Sequence, residues 1–147
     1  MIQFELLQKK DIETVTALMK DFYAIDHYPF DALVAKKLFE EFITNKNLGE
    51  CWLIKYNKEI VGYVILTFIF SFEYQGKIAF LDELYLQPKA QGKGIGKKAI
   101  AFTQEFCHKN NFRLMYLEVE EHNEKAQQLY LKNGFTIHKR QLMKYHL

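Results

Sequence analysis

The longest apolar stretch of the chain, Ile60 to Phe70, constrains the fold more than any other segment. It is interrupted only by Gly62 and Thr67, so it lacks the alternation of a strand with one face in water. It is also far too short to cross a bilayer as a helix. A strand of this kind must be covered on both faces, which predicts a central strand in a layered protein.

Turn signals on either side of this stretch divide the region into three strands. Asn57-Lys58-Glu59 separates a β-rich run, Glu50–Tyr56, from the apolar strand, which extends over Ile60–Phe72. Gln75-Gly76-Lys77 separates that strand from a third, Ile78–Leu86. Short turns between successive strands predict an antiparallel meander.

Apolar residues recur at helical spacing in four other segments. Two of them precede the meander, with Asp31 as the predicted N-cap of the second. A third follows Gly96, and a fourth starts at the predicted cap Asn123 and ends at Gly134. Four further strands are predicted: Ile2–Leu7, Phe112–Val119, Phe135–His138 and Gln141–Tyr145.

The resulting order, β α α β β β α β α β β, predicts an α+β fold with a mixed, mostly antiparallel sheet. The piece from Ile78 to Val119 is a strand–helix–strand unit, whose two strands should be parallel. A length of 147 residues is enough for one domain, so residues 1–147 are expected to form a single domain.

Composition narrows the classes of function. Twenty basic residues nearly balance eighteen acidic ones, which argues against a dedicated nucleic-acid binder. The N-terminus lacks the basic and apolar regions of a signal peptide and no membrane segment is expected, so we expect a cytoplasmic protein. Cys51 and Cys107 are expected to be reduced core thiols, and no metal site is expected because the histidines show no ligand spacing near them.

The segment Gln91-Gly92-Lys93-Gly94-Ile95-Gly96-Lys97-Lys98 lies between a predicted strand and a predicted helix. A helix start exposes unpaired N–H groups and the positive end of the helix dipole. Glycines let a phosphate approach the backbone, and the neighbouring lysines, Lys89 included, add attraction for an anion. The segment is therefore predicted to bind a phosphate group.

Two common phosphate motifs do not fit this segment. A P-loop needs four residues between its glycines and then Lys-Ser/Thr, whereas three separate Gly92 from Gly96 and Lys97 precedes Lys98. A dinucleotide fingerprint needs a third glycine where Lys97 stands. The pattern that fits is Gln/Arg-x-x-Gly-x-Gly, with Gln91, Gly94 and Gly96 at its fixed positions.

These residues resemble the acetyl-CoA signature of the GNAT superfamily of N-acetyltransferases. Two blocks carry the resemblance, in the right order and at the right separation, and together they cover Leu81–Phe135. The first is Leu84-Tyr85-Leu86-Gln87-Pro88 followed by Gln91–Gly96; the second comprises Leu117-Glu118-Val119, Asn123, Ala126, Leu129-Tyr130 and Asn133-Gly134-Phe135.

The resemblance implies a GNAT-like three-layer fold whose central sheet is splayed open at an acetyl-CoA cleft. It implies that acetyl-CoA is the co-substrate and that backbone N–H groups of the turn bind its pyrophosphate. Main chain at the end of the preceding strand would pair with the pantetheine arm and the thioester carbonyl, as an oxyanion hole. The residues concerned are Leu84, Tyr85 and Leu86 for the strand, and Gln91, Gly92, Lys93, Gly94, Ile95, Gly96 and Lys97 for the turn.

The resemblance also assigns roles on the last helix and makes the acceptor a primary amine. Tyr130 resembles the tyrosine that protonates the leaving thiolate, and it would also contact the cofactor. Asn123 would both cap its helix and bind the cofactor. An alkylamine is protonated at neutral pH, so a base is needed. Asp82 and Glu83 are candidates, and because neighbours on a strand face opposite sides, one is expected in the cleft.

The sequence does not decide which amine accepts the acetyl group. The run from Ser71 to Glu83 is similar to diamine acetyltransferases, which suggests a diamine or other small amine. A protein N-terminus or lysine, an aminoglycoside or an amino acid are alternatives, as is a non-catalytic acyl-CoA-binding or regulatory module. The strand Gln141–Leu147 offers an edge for a homodimer.

Overall fold

The computed structural model describes residues 1–147, which form five strands and four helices in the order β1-α1-α2-β2-β3-β4-α3-β5-α4. Single turns of 3₁₀ helix precede α1 and α3, at Lys9–Asp11 and Pro88–Ala90. None of the helices combines the length and the apolar character needed to cross a membrane. The strands are β1 (Ile2–Leu6), β2 (Gly49–Tyr56), β3 (Glu59–Ser71), β4 (Gly76–Leu86) and β5 (Met115–Leu117); the helices are α1 (Ile12–Ile25), α2 (Ala32–Thr44), α3 (Ile95–Lys109) and α4 (Glu124–Lys132).

All five strands lie in one sheet, in the order β1-β2-β3-β4-β5. The first four are antiparallel, and β5 pairs with β4 in parallel. Asn57 and Lys58 take φ angles of 50° and 71°, the left-handed conformation that suits a tight hairpin turn. The apolar strand β3 is the central one, and its residues from Val61 to Leu66 are buried, which confirms the expectation from its sequence.

Helices cover both faces of the sheet, and each face has its own core. On one face, Val15 of α1 and Phe39 of α2 pack with Tyr63 of β3. On the other face, Ala99 of α3 packs with Val64, the next residue of β3. The mixed α+β architecture with three layers is therefore the one expected from the sequence, and the alternation of β3 supplies both cores.

Local capping follows the sequence closely. Asp31 Oδ1 accepts the N–H groups of Leu33 and Val34 at 2.9 and 3.2 Å, which starts α2. Asn123 Oδ1 accepts the Ala126 N–H at 3.1 Å, which starts α4. Gly134 follows α4 with a φ of 92°, the left-handed conformation of a helix-terminating glycine.

Both predicted core thiols are confirmed. Cys51 lies in the core of the α1–α2 face and Cys107 in that of the α3–α4 face, each buried and unpaired. Burial raises the pKa of the Cys107 thiol to about 11, so it stays protonated near neutral pH.

The strands predicted near the C-terminus are wrong in extent or absent. Instead of Phe112–Val119, only Met115–Leu117 pairs as a strand, since β4 is its sole neighbour and the pairing ends at Leu81. Phe135–His138 and Gln141–Tyr145 form no strand. Their apolar side chains at Ile137, Leu142 and Met143 are exposed, because no neighbouring strand supplies the hydrogen bonds that the pattern requires.

Candidate active site

The turn before α3 has the backbone shape that its glycines predicted. Gly92 and Gly94 have φ angles of 74° and 76°, and no heavy atom lies within 4 Å of where a Cβ would stand on either residue. Gly96 serves another purpose, since a Cβ there would lie 3.3 Å from Leu129 Cδ2 of α4. The first two glycines therefore shape an open turn, and the third lets α4 approach α3.

The turn presents a continuous series of unused backbone donors. The N–H groups from Gly92 to Lys97 donate to no protein acceptor, and the first helical bond of α3 runs from Lys98 N–H to Gly94 O at 3.2 Å. Gln91 is not part of this series: its N–H donates to Pro88 O, and its side-chain amide donates to Leu86 O at 3.1 Å. Such a concave run of N–H groups at a helix start is an anion-binding geometry.

The lysines near the turn differ in their contacts. Lys89 is paired with Glu59 at 2.9 Å, and the Lys93 ammonium lies 5.8 Å from the centre of the Tyr56 ring. Lys97, in the first turn of α3, is exposed and makes no ion pair. The Ile95 side chain is buried in the core, so that residue presents only its backbone to the turn.

The sheet opens next to the turn. Strands β4 and β5 are paired only from Ala79 to Leu81 on β4, so the β5 side of Asp82–Leu86 has no strand neighbour. The main chain of Leu84, Tyr85 and Leu86 therefore borders a gap that leads to the turn. The Tyr85 side chain points away into the core, stacked on Phe22 at 5.2 Å between ring centres.

Helix α4 carries Tyr130, which packs against the same core as Leu84 and Leu86 of β4. The Tyr130 ring packs with the α3–α4 core. It lies edge-on to the Phe135 ring, with 5.7 Å between the ring centres. Its hydroxyl makes no hydrogen bond with the protein, and burial raises its pKa, so the proton is retained at neutral pH. Asn123 is exposed at the start of the helix, and its side-chain oxygen is the cap.

The two carboxylates of β4 do not face opposite sides of the sheet, contrary to the sequence expectation. Both Asp82 and Glu83 line one cavity on the α1–α2 face. The reason is a β-bulge: Leu81 pairs with Leu66 and Glu83 with Ile65, which leaves Asp82 without a partner on β3. An extra residue in one strand breaks the alternation of side chains and redirects the residues beside it.

Glu83 is held by two tyrosines that the strand pattern did not connect with it. Tyr23 of α1 donates to Oε2 at 2.7 Å, and Tyr63 of β3 donates to Oε1 at 2.6 Å. Burial raises the pKa of Glu83, the two hydroxyl donors lower it, and the nearby charge of Asp82 raises it, with a net upward shift. The carboxylate is thus fixed in orientation and more basic than a solvated one.

Asp82 is the less constrained of the pair. It makes no hydrogen bond with the protein and is exposed to the cavity and solvent. Burial of part of the carboxyl group and then the charge of Glu118, at the end of β5, raise its pKa. The two acids and Tyr130 approach the gap from different faces of the sheet, since Tyr63 belongs to one core and Tyr130 to the other.

Comparison with known proteins decides the family. Residues 13–135 match the acetyltransferase (GNAT) family. This chain belongs to the GNAT family. A segment of 79 residues is 32% identical to an uncharacterised N-acetyltransferase, YhfO, of Bacillus subtilis, and covers 54% of this chain and 53% of that protein. The match therefore spans about half the length of that relative.

Solved structures share the fold over nearly the whole chain. An integron cassette protein from a salt-marsh metagenome superposes with a TM-score of 0.89 at 29% identity, covering 99% of this chain and 90% of its own. A predicted acetyltransferase of Clostridium acetobutylicum, solved with acetyl-CoA, superposes with a TM-score of 0.83 at 18% identity, covering 99% of this chain and 96% of its own. The GNAT fold expected from the two motif blocks is confirmed.

Sequence reasoning missed one contributor to the site and did not place another. Tyr63 stands within the apolar run of β3, where an aromatic ring is ordinary, so its position in the sequence does not indicate a role in the site. A hydroxyl inside a strand covered on both faces is the signal that was available, because a buried polar group needs a partner. Tyr23 lies at helical spacing near the end of α1, but its bond to Glu83, sixty residues away, depends on how α1 crosses the sheet.

Proposed function

We propose that this chain transfers the acetyl group of acetyl-CoA to the nitrogen of a primary amine, with residues 1–147 as its single catalytic domain. The observation that carries this proposal is the series of unused N–H groups from Gly92 to Lys97 at the end of the gap beside β4. A pyrophosphate is bound by several donors at once, and the turn supplies six N–H groups that no protein acceptor uses. The acetyl-CoA bound in a structural relative supports the same donor.

Each part of acetyl-CoA, the acetyl donor, can be assigned to particular residues of this chain. The N–H groups of Gly92, Lys93, Gly94, Ile95, Gly96 and Lys97 would hold the pyrophosphate, while Gln91 ties the turn to β4. The free edge at Leu84, Tyr85 and Leu86 would pair with the pantetheine arm, and Asn123 would contact the cofactor from the start of α4. Acetyl-CoA supplies an acetyl group activated as a thioester.

The acceptor side needs a base, and Glu83 meets the requirements best. The amine arrives protonated, so one proton must leave before its nitrogen is nucleophilic. Glu83 is oriented by Tyr23 and Tyr63, and its raised pKa brings it closer to the working pH of a general base. Asp82, which has no protein partner, would attract the ammonium group to the same point.

Tyr130 completes the proton balance. The ammonium loses two protons in all: Glu83 takes the first, which frees the nitrogen to attack, and the second passes to solvent once the nitrogen–carbon bond has formed. The carbon–sulfur bond then breaks, and Tyr130 donates a proton to the departing thiolate. The Tyr130 hydroxyl suits this role because it has no protein partner and its raised pKa keeps it protonated. It is regenerated by solvent after product leaves.

The test is an acetylation assay with a panel of amines, followed as release of the CoA thiol. The panel contains alkylamines, diamines, amino acids, an aminoglycoside and a lysine-containing peptide. We expect turnover of at least one class of amine. Tight acetyl-CoA binding with no turnover of any amine would contradict the proposal and favour an acyl-CoA-binding module.

Tyr130→Phe separates catalysis from binding. We expect kcat to fall by about a hundredfold or more, because general acid catalysis contributes on that scale. Acetyl-CoA affinity, measured by calorimetry, should stay within about threefold, since the ring and its contact with Phe135 remain. A kcat near that of the wild type would rule out Tyr130 as the acid.

A further inference from the structure

The cavity that holds Asp82 and Glu83 is large and mostly apolar. It has a volume of about 860 Å³ and lies between α1, α2 and strands β3 and β4. Ten of its sixteen lining residues are hydrophobic. That volume is in the range of sites for small organic ligands and exceeds what a bare ammonium head group needs.

The charges on this cavity have one sign. Its lining includes four carboxylates and no lysine, arginine or histidine: Asp31, Glu41, Asp82 and Glu83. Asp31 uses one oxygen as the cap of α2, and Glu83 is bound by two tyrosines, but Asp82 makes no hydrogen bond with the protein. A ligand that carries a negative group would find no cation to pair with and several carboxylates to repel it.

The α2 wall of the cavity leaves apolar side chains in water. Val34 and Leu38 are 52% and 59% exposed, although they face the cavity together with the buried Phe39. Phe30 and Phe42 extend the same surface. An apolar ligand body placed there would remove this surface from water, which favours binding in proportion to the area covered.

We propose that the acceptor is a primary ammonium carried on an apolar body that bears no carboxylate. This inference rests on the proposed acetyl transfer and gives its substrate class. The ammonium lies at Asp82 and Glu83, beside the gap in the sheet, and the apolar body lies along Val34, Leu38 and Phe42. An amine that ends in a carboxylate is disfavoured, because the cavity lining repels the carboxylate and offers no cation to pair with it.

Three amines of equal chain length test the class directly. Hexylamine, 1,6-diaminohexane and 6-aminohexanoate carry the same reacting group and differ only at the far end. We expect kcat/KM for the first two to exceed that for 6-aminohexanoate by at least about tenfold. Turnover of 6-aminohexanoate equal to that of hexylamine would overturn the proposal while leaving acetyl transfer intact.

Matched substitutions on α2 locate the apolar body. Leu38→Lys places a cation on the cavity wall and should lower kcat/KM for hexylamine at least about tenfold. Leu33→Lys is the control, since Leu33 is 72% exposed on the same helix and does not line the cavity. It should stay within about twofold of the wild type, and equal losses in the two variants would overturn the placement.

Measuring amine binding without acetyl transfer separates the proposed reaction from the cavity's proposed preference for an ammonium on an apolar body. Calorimetry with hexylamine and with hexanoate needs no acetyl donor. If hexylamine binds and loses affinity in Leu38→Lys, while neither it nor any other amine of the panel is acetylated, the proposed function is contradicted but the cavity's preference is supported. Hexanoate that binds as well as hexylamine would contradict that preference even if acetylation occurs.

Discussion

At the scale of single residues, the proposed role of Glu83 as the base depends on how its carboxylate is held. A carboxylate this close to an apolar core would be protonated or disordered without partners. Tyr23 and Tyr63 each donate to one of its oxygens, so the charge is stabilised while burial still shifts the pKa upward. Burial, and after it the charge and hydrogen bond of Glu83, raise the pKa of Tyr23 and Tyr63, so both remain donors.

Tyr23→Phe should move the acid limb of the rate profile. Removing one donor that lowers the pKa of Glu83 raises that pKa further, and the base is active only when ionised. Activity is lost as the pH falls through this pKa, so the acid limb of kcat/KM should move to higher pH by about one unit. The measurement is kcat/KM against pH for one amine in both proteins.

Tyr28→Phe is the matched control for this prediction. Tyr28 also donates its hydroxyl to a carboxylate, but that carboxylate is Glu120, and the residue is exposed. The acid limb of kcat/KM against pH for Tyr28→Phe should coincide with that of the wild type. If Tyr23→Phe left the limb in place while changing only the maximal rate, Glu83 would not be the titrating base.

At the scale of elements, the turn between β4 and α3 depends on backbone conformation more than on side chains. Gly92 and Gly94 adopt left-handed φ angles, which strain any residue with a Cβ, although both positions have open space. The β-bulge at Asp82 acts on the same strand, a few residues earlier, and aims both carboxylates into one cavity. Strand β4 thus carries the two carboxylates at its bulge, and the turn with the unused N–H groups follows its end.

Gly94→Ala should weaken acetyl-CoA binding. A Cβ in the left-handed region costs about 1–2 kcal/mol, and relaxing that strain rotates the N–H groups out of their series. We expect the Kd of acetyl-CoA to rise about tenfold, measured by calorimetry. Gly134→Ala is the control: it introduces the same strain, at a φ of 92°, after α4 and away from the turn. Equal loss of affinity in the two variants would show that the effect is global.

At the scale of the whole molecule, the site exists because one sheet has two cores and an incomplete edge. The α1–α2 face supplies Glu83 and its tyrosines, and the α3–α4 face supplies Tyr130. The faces meet where β5 stops pairing with β4 beyond Leu81. A ligand lying in that gap would contact both faces, so it should stabilise the fold as well as the turn.

Acetyl-CoA should therefore raise the melting temperature. A ligand that binds only the native state raises the free energy of unfolding by about 2.7 kcal/mol when its concentration is one hundred times its Kd. For a chain of this size that corresponds to roughly 5–10 °C, measured by calorimetric melting. Pantetheine at the same concentration should have a much smaller effect because it lacks the pyrophosphate. An equal shift by pantetheine would mean that the turn contributes little to binding.

The sequence by itself determined the features that depend on neighbours along the chain. Most helices and strands were specified by the hydrophobic periodicity, by the caps Asp31 and Asn123, and by the glycines of the turn. The two motif blocks identified the family. Each of these signals is local, because a helix or a tight turn satisfies its hydrogen bonds within a few residues.

Only the tertiary structure decided what depends on distant partners. Tyr23 meets Glu83 across the sheet, and the register of β3 against β4 creates the bulge that turns Asp82 and Glu83 to one side. The segments 135–138 and 141–145 have the pattern of strands but no neighbour to pair with. A strand is completed by another strand, so its pattern specifies which side chains seek burial, and the fold decides whether a partner is there.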